Sequence, residues 1–122
     1  MVKLLKNDDE ITAKDIAEFI LAKASSVGEL ITNLKLQKLV YYAQAWHLVN
    51  FDKSPLFGDD FQAWIHGPVI PSLYRDYKER GSLPIVDCPD LGGMEDKFQE
   101  TTLEFLNEII GVYMPYGAYQ LE

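Results

Sequence analysis

Residues 33–49 (NLKLQKLVYYAQAWHLV) constrain the fold more than any other stretch. Leu36, Leu39, Val40, Ala43, Trp46 and Val49 recur at the i, i+3, i+4, i+7 spacing of an α-helix. A second apolar row, Leu34, Tyr41, Ala45 and Leu48, runs beside the first, with Tyr42 beyond it. A helix apolar over so much of its circumference belongs at the centre of a core, with other helices packed around it. Thr32 is placed to cap it, and Lys35, Gln37, Lys38 and Gln44 are left as its wet side. The chain is therefore expected to be mainly α.

The remaining segments fit around that helix. Residues 1–11 read as a polar lead-in. Thr12 and Asp15 have the spacing of a capping box, and Ile16, Phe19, Ile20 and Ala24 follow at helical spacing, predicting a helix over 13–25. Residues 50–60 carry turn chemistry, and Phe61–Ile65 alternates briefly, as a short strand over 61–65 would. His66-Gly67-Pro68 ends that strand sharply. Pro71 suits a first helical turn, Leu73, Tyr74 and Tyr77 continue it, and Arg75 with Glu79 has the i, i+4 spacing of an ion pair. Gly81 stops that helix. Residues 82–94, with two prolines and two glycines, read as the longest irregular stretch. A last long helix is predicted over 95–114, its stripe formed by Phe98, Thr102, Phe105, Ile109 and Tyr113. Residues 118–122 look like the opening turn of one more. With 122 residues and 48% apolar content, this is the expected make-up of one compact helical domain with a small β element.

Charge narrows the function classes. The net charge is −8, and it is uneven: residues 87–122 hold eight acidic residues against Lys97, whereas 31–58 hold Lys35, Lys38 and Lys53 against Asp52. An acidic half repels phosphate backbones and steers basic partners, so direct nucleic-acid binding is disfavoured. No apolar run reaches the ~20 residues that span a bilayer, which points to the cytoplasm and away from a membrane. A single cysteine, Cys88, excludes a disulfide framework.

Catalytic sets are sparse. His47 and His66 are the only histidines, and neither has a metal-type partner at i+3 or i+4, so no metal and no cofactor is expected. Cys88 stands beside Pro89 in an acidic loop, the wrong surroundings for a nucleophilic thiolate. Gly92-Gly93 lacks the lysine of a phosphate-binding loop. The strongest enzymatic alternative is a hydrolase using His66 with Asp59 or Asp60, and the sequence gives it little support. The concentration of aromatics in residues 41–77 is more telling, because such residues build both cores and interface hot spots.

Two stretches carry a resemblance. Asn33-Leu34-Lys35-Leu36-Gln37-Lys38-Leu39-Val40-Tyr41-Tyr42-Ala43-Gln44-Ala45-Trp46 resembles the N-terminal signature of the SocA-like Panacea antitoxin domain, a family also described as phage-associated. Ala63-Trp64-Ile65-His66-Gly67-Pro68-Val69, with the helix beginning at Pro71, resembles its second signature, A-W-x-x-G-P-V. Order and spacing agree as well, and the likeness runs from about residue 10 to the end of the chain. The family pattern continues past residues 116–121 into a further helical segment with a Trp-containing signature. Its absence here is expected to reflect a truncation or a vector-derived end, and to leave apolar surface that favours a homodimer.

The resemblance implies a mainly helical, non-enzymatic antitoxin. Such a protein would neutralise a protein toxin encoded by a neighbouring gene through direct contact, often in prophage or mobile-element surroundings. The acidic half suits a basic toxin. The residues expected to define the motif or face the partner are Lys38, Tyr42, Trp46, Trp64, His66, Gly67 and Pro68. Gly67 and Pro68 should set a turn, and Trp46 and Trp64 suit either core or interface. The second function class is a nucleic-acid-associated autorepressor, motivated by the small basic surplus of 31–58.

Overall fold

The computed structural model describes residues 11–121. Six helices and one two-stranded antiparallel hairpin follow in the order α1 (Ala13–Ser26), α2 (Asn33–Asn50), β1 (Gln62–Trp64), β2 (Gly67–Val69), α3 (Pro71–Tyr77), α4 (Leu91–Glu95), α5 (Glu100–Tyr113) and α6 (Ala118–Leu121). All but Ile11 of the expected polar lead-in, together with Glu122, lies outside the described residues, and Ile11 itself is buried.

The helix starts are chemically specified. Thr12 Oγ1 accepts from the Asp15 amide at 3.2 Å, and the Asp15 carboxylate accepts from the Thr12 amide at 3.0 Å, completing the capping box of α1. Asp59 adds a long-range cap by accepting from the Ala13 amide at 3.0 Å. Thr32 caps α2 through the Lys35 amide, as its position predicts.

Helix α2 is the hub. It packs against α1, β2, α3, α5 and α6, while α1 also carries α4. Leu36, Leu39, Val40 and Ala43 are fully buried against Ile16, Phe19 and Ile20 of α1 and Leu106, Ile109 and Ile110 of α5 in one cluster. Each such side chain contributes roughly 1.5–3 kcal/mol by leaving water.

The polar side of α2 departs from the expectation. Gln37 and Lys38, read as wet, are buried along with Asn33 and His47. Trp46 and Val49, read in the apolar row, reach solvent instead. The cause is the chain after α2. The loop over 51–61 and the hairpin lie along the polar stripe, and several of their backbone groups take partners from side chains of α2. Gln44 serves twice: its Oε1 accepts from the Leu56 amide at 2.7 Å and its Nε2 donates to the Phe57 carbonyl at 2.8 Å. His47 Nδ1 lies 2.7 Å from the Ser54 carbonyl, a histidine satisfied inside the structure.

Other boundaries moved for local reasons. Helix α3 ends at Tyr77 and tightens into a 3-10 turn over Lys78–Arg80, so Glu79 loses the spacing that a pair with Arg75 needs. The segment expected to be irregular contains α4, capped by Asp90 on the Gly93 amide at 3.1 Å and anchored by buried Met94. Tertiary contact with α1 overrides the poor helix propensity of Gly92 and Gly93. The helix predicted over 95–114 begins only at Glu100. Phe98 is buried ahead of it, edge-on to Phe19 with ring centroids 5.5 Å apart.

Candidate functional site

The hairpin pairs Gln62 with Val69, Ala63 with Pro68 and Trp64 with Gly67. Its turn therefore comprises Ile65 and His66, within the second sequence signature. Three side chains on one stripe of α2 hold it by its backbone. Lys38 Nζ donates to the His66 carbonyl, Gln37 Oε1 accepts from the Ile70 amide at 3.2 Å, and Asn33 Nδ2 donates to the Tyr74 carbonyl at 3.1 Å. Gln37 Nε2 also donates to Asn33 Oδ1 at 3.0 Å, joining the two amides. The two signatures are thus one structural unit: the first supplies the anchors and the second supplies the anchored strands.

Gly67 is required by two independent facts. Its φ of +121° lies in the region that side chains avoid, and a Cβ there would sit 3.0 Å from Lys38 Nζ. Pro68 follows within the strand, where its missing amide is tolerated because a two-stranded ribbon leaves every strand an edge.

Lys38, Tyr42, His66, Gly67 and Pro68, all expected as site residues, line one cleft of about 220 Å³ together with Tyr41 and Leu121. Tyr42 stacks on Tyr113 with centroids 4.4 Å apart and donates to the Leu121 carbonyl, which seats α6 on α2. Burial, with neighbouring Tyr113 and Tyr41, pushes the Tyr42 phenol up. Trp46 is apart from this cleft. It is 40% exposed, and its indole donates to the Tyr113 hydroxyl at 2.8 Å. Trp64 is 41% exposed, edge-on to Tyr74 with centroids 5.0 Å apart.

A larger groove of about 570 Å³ opens on the other side of His66. Leu34, Trp64, Ile65, Val69 and Tyr74 form its apolar wall, and Asn33, Gln37, His66 and Ser82 are its polar lining groups. Ile65, at the turn, is 94% exposed. The acidic surface lies elsewhere: Glu104 and Glu108 of α5 flank a third depression with Phe51 and Phe105, and Glu100 extends the row.

Two of the groups weighed as catalytic have structural surroundings. The Asp59 carboxylate is engaged at the start of α1, and the Cys88 thiol is pushed up by burial and then by Asp87, disfavouring the thiolate. Among the described residues no three of His, Cys, Asp and Glu gather as a metal ion would require, and no helix is long and apolar enough to cross a membrane.

The sequence model of the antitoxin SocA-like Panacea domain matches residues 36–122, starting later than the point near residue 10 from which the resemblance was read. The chain belongs to the SocA-like Panacea antitoxin family. Antitoxin SocA of Caulobacter vibrioides is 36% identical over 87 residues, which are 71% of this chain and 46% of that protein. The chain thus spans about half the length of its curated relative. No solved structure matches.

Within the Panacea match, the groove wall from Trp64 to Tyr74 and all of the cleft residues are included, whereas Asn33 precedes it. The sequence reading missed Asn33 and Gln37 as builders of the site, and Gln44 and His47 as anchors of the loop before it. One signal was present: amides at 33, 37 and 44 share one side of a helix that is otherwise apolar almost all round, and such amides are buried when a neighbouring loop needs them.

Proposed function

We propose that this protein is an antitoxin that neutralises a protein toxin by covering it directly, without catalysis. The observation that carries this reading is the hairpin of the second signature. Its backbone is fixed by buried Lys38 and Gln37, while Trp64 and Ile65 face solvent beside an apolar groove. Large apolar side chains held outward on a rigid support are how protein interfaces gain affinity at low entropic cost. Trp64 and His66 are partner-facing in this reading. Lys38, Gly67 and Pro68 define the hairpin, and Tyr42 and Trp46 hold α5 and α6 on α2. The acidic row of α5 favours a basic toxin by steering.

The toxin is expected from an adjacent gene, in a prophage or mobile-element setting, and both proteins are expected to act in the cytoplasm. Co-expression tests this. The neighbour's product should arrest growth alone and be relieved, in a complex, by this protein. A harmless neighbour, or one that stays toxic and unbound, would defeat the proposal. The basic stretch lends the autorepressor reading little, since Lys35 and Lys38 are both committed to carbonyls, of Met114 and His66, and of its three lysines Lys53 alone is exposed.

A further inference from the structure

The larger groove has a hydrogen-bonding polarity that the two amides beside it impose. A backbone N–H can only donate, so the Ile70 amide requires Gln37 Oε1 to face it. Gln37 Nε2 then faces Asn33, whose Oδ1 must accept, and Asn33 Nδ2 is left for the Tyr74 carbonyl. That carbonyl can only accept, so both ends of the relay demand the same orientation. Each amide nitrogen carries two hydrogens, and among the described residues one on each has no partner. Both residues are at least 98% buried, being 2% and 1% exposed, and both line the groove. At the buried floor formed by these two amides, the uncommitted polar groups are therefore donors, while His66, Tyr74 and Ser82 complete the lining.

We propose that this groove binds an extended, uncharged apolar segment of a partner protein, with a side chain against Leu34, Trp64 and Tyr74 and a main-chain carbonyl accepting from Asn33 and Gln37. The occupant must bring an acceptor, because an unpaired buried donor costs roughly 1–3 kcal/mol and a bonded one does not. That acceptor is uncharged. Among the described residues no Lys, Arg, Asp or Glu lines the groove and His66 is the one lining side chain able to carry a positive charge, so a carboxylate on the two amides would lose its water without a fixed cation beside it, and the chain's charge of −8 repels it further. A cavity of about 570 Å³ accommodates one large side chain and the flanking backbone. The inference rests on the reading of this protein as a toxin-binding module and names the chemistry of the contact.

The test requires no toxin. A capped, uncharged pentapeptide of alanines with a central leucine is titrated into the full chain while side-chain amide NMR signals are followed. The Asn33 Nδ2 and Gln37 Nε2 signals and the Trp64 indole should move together and saturate. Peptides with aspartate or lysine at the centre should bind at least about tenfold more weakly. Ser82→Trp, which fills the groove from an exposed wall position, should cut leucine-peptide binding by a similar factor while leaving the melting curve in place. Leucine-peptide binding that leaves both amide signals unmoved, or that survives Ser82→Trp, would overturn the proposal, as would the absence of binding. So would a concentration-dependent dimer that Ser82→Trp abolishes, since a second copy would then be the occupant. Failure of co-expression with intact peptide binding would remove the toxin assignment alone; the converse would place toxin contact on another face.

Discussion

Replacing Gly67 by alanine probes the joint between the two signatures. The perturbation has two parts. At φ +121° any Cβ is strained, and holding a non-glycine residue in such a region costs about 1–3 kcal/mol. The new methyl also lies 3.0 Å from Lys38 Nζ, so the ammonium must shift by a few tenths of an ångström and weaken its bond to the His66 carbonyl. Hydrogen bonds to charged groups contribute about 1.5–3 kcal/mol, and partial loss adds about 1 kcal/mol to the strain. The sum, about 2–4 kcal/mol, is a large share of the 5–15 kcal/mol of a typical domain. Denaturant unfolding of Gly67→Ala, Lys38→Met and the double variant separates the parts. Methionine keeps the aliphatic stem and removes the ammonium, so the double variant should lose less than the two single losses combined, by about 1 kcal/mol. Loss below about 0.5 kcal/mol in Gly67→Ala would refute the backbone part. Strict additivity would refute the steric coupling.

Other outcomes follow from the same geometry. Gln44→Ala removes the partners of the Leu56 amide and Phe57 carbonyl, both on buried residues, and should cost about 2–4 kcal/mol while accelerating hydrogen exchange at Leu56. Burial raises the Tyr77 phenol, with Lys14 opposing, so the unfolded chain releases this proton first as pH climbs. Stability should therefore be full below pH 10 and fall above it, and Tyr77→Phe should flatten that fall in alkaline denaturation curves. Asp52 and Lys53 have φ of +55° and +67°, and Lys53→Gly should raise the unfolding midpoint, a gain of up to about 1 kcal/mol. With its thiol pushed up by burial, Cys88 should react with iodoacetamide several-fold more slowly than the same thiol in the denatured chain.

Apolar periodicity and cap chemistry were legible because both are local. Thr12, Thr32, Pro71 and Gly81 each stand where their element starts or stops. The place of α2 at the centre was legible from its two apolar rows. What the chain hid depends on partners distant in sequence. Gln37 and Lys38 look solvated until residues 66–70 fold over them, and Trp46 looks like core, yet its indole bonds the Tyr113 hydroxyl while its ring reaches solvent. Helix α4 was hard to see because two glycines argue against it, and beyond the Asp90 cap the argument for it is burial of Met94 on α1. The motif residues of the cleft could be named in advance. Their division into anchors and displayed groups required the third dimension.

The hairpin is held by atoms common to every amino acid, the His66 carbonyl and the Ile70 amide, and the gripping side chains belong to another element. A mount of that sort is blind to the identity of whatever it carries at the turn, positions 65 and 66, which are the open places of the second signature and are exposed. Those places can be rewritten freely while the frame beneath stays intact, so one scaffold could be re-aimed at unlike targets by exchanging a few outward residues.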